Sequence, residues 1–152
     1  MKFGEAIDSV LVKNYFNFQG KASRAEYWWF VLFLFVSSVV VSFTEAVAVG
    51  ISQGADFDPE NFYPYFFTLY MIFLVLPSLS VTVRRFHDAG RGTMEAVVLY
   101  FVAQISSIFI PNPNGLFRAA ESLESLVLIA FLTSGIYTLY ITLKKSEEIS
   151  EE

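Results

Sequence analysis

Residues 27–44 read YWWFVLFLFVSSVVVSFT, eighteen positions without a formal charge. At the helical rise they give about 27 Å, close to the hydrocarbon thickness of a bilayer. Tyr27, Trp28 and Trp29 stand at the start of the run, where amphipathic rings favour a membrane interface. Just before them, Ser23-Arg24-Ala25-Glu26 matches a capping box, in which a hydroxyl and a carboxylate satisfy free amides at a helix start. The stretch predicts a membrane span over 24–50. Glu45 lies about 26 Å of helical rise beyond Trp28, so it is expected to reach the opposite headgroup layer.

Three more apolar runs follow. Residues 62–83 are uncharged for twenty-two positions, with Tyr63, Tyr65 and Tyr70 near one end and Pro77 expected to kink the helix. Asp58-Pro59 could cap its start, with Pro64 a competing one. The helix should continue through Arg84-Arg85-Phe86-His87-Asp88-Ala89 to a left-handed cap at Gly90, giving a span over 62–89. Thr93 can cap the next, over 94–110, which ends before Pro111 and Pro113. Its apolar part, Ala96 to Ile110, gives only about 22 Å, so a re-entrant segment is the alternative. The last span, 122–143, holds nineteen uncharged residues from Ser125 to Leu143 and stops at Lys144-Lys145.

Upstream, Phe3, Ile7, Val10, Leu11, Tyr15 and Phe18 recur at helical spacing, with Lys2, Glu5, Asp8, Ser9 and Lys13 on the remaining face. This predicts an amphipathic helix over 3–18, lying among headgroups or covering the ends of the spans, with Gly20 breaking it. The expected fold is all-α: a four-transmembrane-helix bundle with an N-terminal amphipathic interfacial helix. It forms one membrane domain over 1–145, followed by an acidic tail over 146–152 expected to be disordered.

Composition agrees. Of 152 residues, 55% are hydrophobic and only 16% charged, with a mean hydropathy of +0.51, too apolar for an ordinary soluble fold. Much of the net charge of -5 belongs to Glu147, Glu148, Glu151 and Glu152 in the tail. There is no cysteine, which excludes disulfides, thiolate metal sites and cysteine nucleophiles. The first 26 residues are too charged for a secretory signal, and the run after them is read as a retained anchor. Lys2, Lys13, Lys21, Arg24, Arg84, Arg85, Arg91, Lys144 and Lys145 all fall on one side of a four-span topology, leaving Arg118 alone on the other. The positive-inside rule then makes both termini cytoplasmic. A re-entrant third segment would put the terminal lysines on the opposite side.

The most distinctive polar cluster is Arg84, Arg85, His87, Asp88 and Arg91. Forked guanidinium donors beside a glycine turn suit a phosphate or carboxylate. The simpler reading is contact with anionic lipid headgroups plus internal salt bridges, such as Arg84 with Asp88 or an arginine with Glu26. His87 is the only histidine, without an acidic cluster at ligand spacing, so no metal or cofactor is expected. Ser78, Ser80 and Thr82, with Thr133, Ser134, Gly135, Thr138 and Thr142, could line a solute path, but such residues commonly serve helix packing, as does Gln104. The spans carry no charge near their middles, and the chain has no phosphate-cradling loop, no zinc-protease histidine pair and no serine-histidine-acid set. Neither catalysis nor nucleic-acid binding is expected.

Two stretches carry a resemblance: Tyr15-Phe16-Asn17-Phe18-Gln19-Gly20-Lys21-Ala22-Ser23-Arg24-Ala25-Glu26-Tyr27-Trp28-Trp29-Phe30 and Val83-Arg84-Arg85-Phe86-His87-Asp88-Ala89-Gly90-Arg91. Together they resemble the bacterial inner-membrane family known as domain of unknown function 805. The resemblance covers about residues 10 to 145, in the same four-span order. Where the family usually continues with serine-glycine-tryptophan, this chain has Gly92-Thr93-Met94-Glu95, and Glu95 adds a partner for the arginines. The resemblance implies a bacterial inner-membrane protein and lends no activity. It suggests that Lys21, Arg24 and Glu26 join Arg84, Arg85, His87, Asp88 and Arg91 in one polar cluster. The expected function is a non-enzymatic structural or regulatory membrane component acting through a homo-oligomer or a membrane protein partner. An oligomeric pore or small-solute carrier is the alternative, and an enzyme acting on lipid headgroups the third reading.

Overall fold

The computed structural model describes residues 1–54, 64–109 and 121–145. Helix α1 (Phe3–Asp8) passes into a π-helical turn (Ser9–Lys13), followed by α2 (Arg24–Gln53), α3 (Tyr65–Asp88), α4 (Thr93–Phe109) and α5 (Glu121–Leu143). The chain divides into two compact units, one of residues 1–17 and 25–80, the other of 18–24 and 81–152. Helices α2 and α3 and the Leu126–Leu143 part of α5 are long and apolar enough to cross a membrane, while the apolar stretch of α4, Thr93–Ile105, is shorter. Phe35 and Phe43 on α2 and Ile129 and Ile136 on α5 turn outward, each more than half exposed. Water would oppose so much apolar surface, and lipid does not.

In the first unit the N-terminal helix is shorter than its hydrophobic pattern predicts. It ends at Lys13, not Phe18, because Asn14 intervenes: its backbone N–H closes an i→i+5 bond to Ser9 O at 2.9 Å. The Asn14 side chain adds bonds to Ser9 O at 3.0 Å and Ser9 Oγ at 3.2 Å, competing with any further helical turn. Ala6 and Val10 are fully buried, and Phe3 meets Trp29 edge-on with ring centroids 5.7 Å apart. Asp8 accepts from Lys13 at 2.6 Å and holds that ammonium above its usual range.

Helix α2 runs three residues past 50, to Gln53, and gives way to Gly54 at a φ of 56°. Glu45 is buried, and its two oxygens accept the backbone N–H groups of Phe66 and Phe67, each at 2.8 Å. A carboxylate on one helix thus satisfies two of the free amides at the start of another. Helix α3 starts at Tyr65, with Pro64 O accepting Thr68 N–H at 3.0 Å; the Asp58-Pro59 cap lies outside the described residues. Tyr70 on α3 donates to Ser37 Oγ on α2.

Pro77 sits inside α3 and has no N–H for the carbonyl of Phe73 one turn back. The Tyr15 hydroxyl donates to that carbonyl, and the two rings pack 5.2 Å apart. One turn on, Ser80 Oγ donates to Asn14 O at 2.8 Å and Asn17 O at 2.6 Å. The short chain after the π turn is therefore bound to α3 on both sides of the proline.

In the second unit α3 ends as its sequence predicts. Gly90 takes a φ of 73°, its N–H reaches His87 O at 3.1 Å, and Arg91 N–H reaches Phe86 O at 2.8 Å. This is the Schellman pattern that only a residue comfortable in the left-handed region completes. Helices α4 and α5 then pack antiparallel: Tyr137, near the end of α5, donates to Glu95, near the start of α4.

Candidate functional site

The site forms where α3 and α5 end and α4 begins. Arg85, on the last turn of α3, is fully buried. Its Nε donates to Thr142 O at 3.1 Å, one terminal nitrogen to Lys144 O and the other to Asp88. Two of the three bonds go to carbonyls at the end of α5, which lack helical donors and carry the negative end of the helix dipole. The reciprocal bond also exists, with Lys144 Nζ donating to Ala89 O, at the end of α3, at 3.3 Å. Two helix C-termini therefore lie side by side, each capped by a cation from the other.

The planar fork explains why arginine occupies this position. A lysine offers a single ammonium centre and could not span Thr142, Lys144 and Asp88 together. Asp88, 7% exposed, balances the buried charge. Arg85, three residues before Asp88 on the same helix, faces the end of α5, and Asp88 closes the same fork.

Arg84 is 3% exposed, and its backbone carbonyl accepts Ala22 N–H at 3.0 Å. His87 continues the attachment on the next turn: Nδ1 lies 3.2 Å from Gly20 O and Nε2 2.7 Å from Thr93 Oγ1. A carbonyl can only accept, so Nδ1 carries a proton and, in the neutral ring, the Thr93 hydroxyl donates to Nε2. Gly20, at a φ of 82°, turns the chain so that its carbonyl meets the histidine. His87 is thus a bridge between the segment before α2 and the first residue of α4.

The remaining residues divide by exposure. Lys21 and Arg24 are exposed in the second unit, and so is Arg91, which faces Glu95 at 3.9 Å. Glu26 belongs to the first unit, where it is buried and accepts Ser9 Oγ at 2.9 Å. The buried members fasten helix ends and the outer ones present cations to the surroundings. No group of three metal-ligating side chains occurs among the described residues.

Four hydroxyls of the apolar helices bond to their own backbones. Ser78 donates to Val75 O at 2.9 Å, Thr133 to Ile129 O at 2.7 Å, Ser134 to Phe131 O at 3.0 Å and Thr142 to Leu139 O at 3.0 Å. Such back-bonding hides the hydroxyl hydrogen and leaves methyl and methylene groups as the outward surface.

Sequence reasoning missed the partners of Arg85, Glu45 and Tyr137. The one local signal was the position of Lys144 directly after α5, where a cation near a helix C-terminus is favourable.

A family model described as a protein of unknown function (DUF805) matches residues 15–149. The chain is 32% identical over 92 residues to the inner membrane protein YhaI of Escherichia coli, covering 60% of this chain and 68% of that one. It is 30% identical over 88 residues to the inner membrane protein YhaH of the same organism, covering 58% and 67%. No solved structure matches.

Proposed function

The chain belongs to the DUF805 family of proteins of unknown function, and from that premise we propose a non-enzymatic, multi-pass component of the bacterial inner membrane. It crosses four times, keeps both termini in the cytoplasm and acts by associating with a further copy or another membrane protein through its apolar helix faces. The observation that carries this reading is the complete engagement of Arg85 with Asp88 and two helix-end carbonyls. The most chemically suggestive group in the sequence is built as a fastening between helix ends.

The juxtaposed C-termini of α3 and α5 support the topology. Both helices are long enough to cross, so their ending side by side favours a path in which α4 returns the chain to the other face. Nine of the ten basic residues then share the cytoplasmic side. The α1 segment supports an interfacial role, since Ala6 and Val10 are buried while Val12 and Phe16 are about two-thirds or more exposed beside Lys13. The inward-bonded hydroxyls favour association over a pore or carrier, which needs polar groups turned to its path.

Native mass spectrometry of the protein released from lipid nanodiscs tests the reading. A discrete multimer, or a stoichiometric complex with one membrane protein, is expected. A monomer at every protein and lipid ratio, or solute-selective flux into liposomes, would overturn it.

A further inference from the structure

Helices α4 and α5 enclose an open groove of about 420 Å³ lined by Leu99, Val102, Ala130, Thr133, Ser134 and Tyr137. Leu99 and Val102 continue the face of α4 that starts at Glu95, at four- and three-residue steps. Ala130 and Ser134 continue the face of α5 that ends at Tyr137, in the opposite direction. The groove therefore runs about 10 Å along both helices from one polar end. That end is specific: Tyr137 donates to Glu95, and Arg91 stands 3.9 Å from the same carboxylate, at the glycine-flanked turn where α3 passes to α4. Its side chain is 41% exposed and that of Glu95 31%, so both remain accessible.

We infer that this groove binds one phospholipid with a primary-amine headgroup, its acyl chain along Leu99, Val102 and Ala130, its phosphate on Arg91 and its ammonium on Glu95. The lining selects a chain over a polar solute, because the Thr133 and Ser134 hydroxyls are bonded to the α5 backbone. Ala130 and Ser134 supply the depth, since a larger side chain at either would fill the trough. The polar end selects the headgroup. A site for purely anionic lipid would gain from Arg91 and lose to Glu95, whereas a zwitterion satisfies both charges at once. The loose 3.9 Å separation leaves each partner able to accept a second contact. The inference rests on the helices lying in a bilayer, and not on the proposed oligomer or partner.

The test is lipid retention. The full chain, assembled in nanodiscs of equal parts phosphatidylethanolamine and phosphatidylglycerol, is released into native mass spectrometry. The expected result is one retained phospholipid per chain, enriched about fivefold in the ethanolamine species. Glu95→Gln should abolish the enrichment but keep a lipid, and Ala130→Leu should lower retention at least fivefold while the circular dichroism spectrum is unchanged. Equal retention by wild type and Ala130→Leu, or a preference for phosphatidylglycerol, would overturn the inference. Loss of a multimer in Ala130→Leu without loss of lipid would assign the groove to a second copy instead. Multimer and lipid masses are read separately, so this inference and the proposed association can fail independently.

Discussion

The Tyr15 hydroxyl donates to the carbonyl of Phe73, the acceptor that Pro77 deprives of its helical donor. Removing that hydroxyl with Tyr15→Phe leaves the carbonyl unsatisfied and should cost about 1–2 kcal/mol. The same change in a Pro77→Ala background, where residue 77 regains an N–H, should cost less than half as much. Reversible unfolding in mixed micelles measures both arms of the cycle. Equal costs in the two backgrounds would mean that the hydroxyl does not substitute for the missing amide.

Arg85 should be the least replaceable residue of the site. Arg85→Ala leaves Asp88 buried without its fork partner and frees two helix-end carbonyls, a loss of about 3–5 kcal/mol. Arg85→Met with Asp88→Asn removes both charges, so it should recover part of that loss. Arg91→Gln changes an exposed cation and should stay within about 0.5 kcal/mol. Accumulation in membranes and unfolding midpoints report all three. A stable Arg85→Ala protein would mean that the two C-termini hold without the clasp.

The contrast between these two residues shows what the sequence makes legible. Expected helices over 24–50, 94–110 and 122–143 are observed as Arg24–Gln53, Thr93–Phe109 and Glu121–Leu143, because long apolar runs and their caps are local properties. Gly90 is local too, and its left-handed cap is where the pattern puts it. Pro77 announces an orphaned carbonyl at Phe73, yet nothing nearby says that Tyr15, 58 residues away, supplies the donor. Likewise the spacing places Asp88 beside Arg85, yet the other two acceptors of the guanidinium come from the end of α5, up to 59 residues beyond it. The early end of the N-terminal helix was hidden for the opposite reason: apolar periodicity ran on while the Asn14 side chain bonded back to Ser9 and stopped it.

Glu45 supplies a third prediction. Its two oxygens accept Phe66 and Phe67 N–H groups, so Glu45→Gln keeps one good acceptor and loses the charge that favours a helix start. The cost should be about 1 kcal/mol for Glu45→Gln and about 2 kcal/mol for Glu45→Ala. Amide hydrogen exchange should locate the effect, with Phe66 and Phe67 losing protection before the centre of α3. Uniform loss along α3 would point to global destabilisation rather than a lost cap.

The absence of cysteine makes the topology directly readable, since every introduced thiol is unique. Lys21, Ser52 and Lys145 are exposed, so Lys21→Cys, Ser52→Cys and Lys145→Cys should each present a reactive thiol without disturbing the core. With a membrane-impermeant maleimide on intact spheroplasts, Ser52→Cys should label at once. Lys21→Cys and Lys145→Cys should label only after permeabilisation. The comparison that matters most is between the two lysines, because they bracket all four apolar helices. If Lys145→Cys labelled from outside while Lys21→Cys did not, the chain would cross an odd number of times and α4 would be a re-entrant segment. Matching protection of both thiols requires an even number of crossings. If all three helices that are long and apolar enough to span do cross, the fourth crossing is then α4.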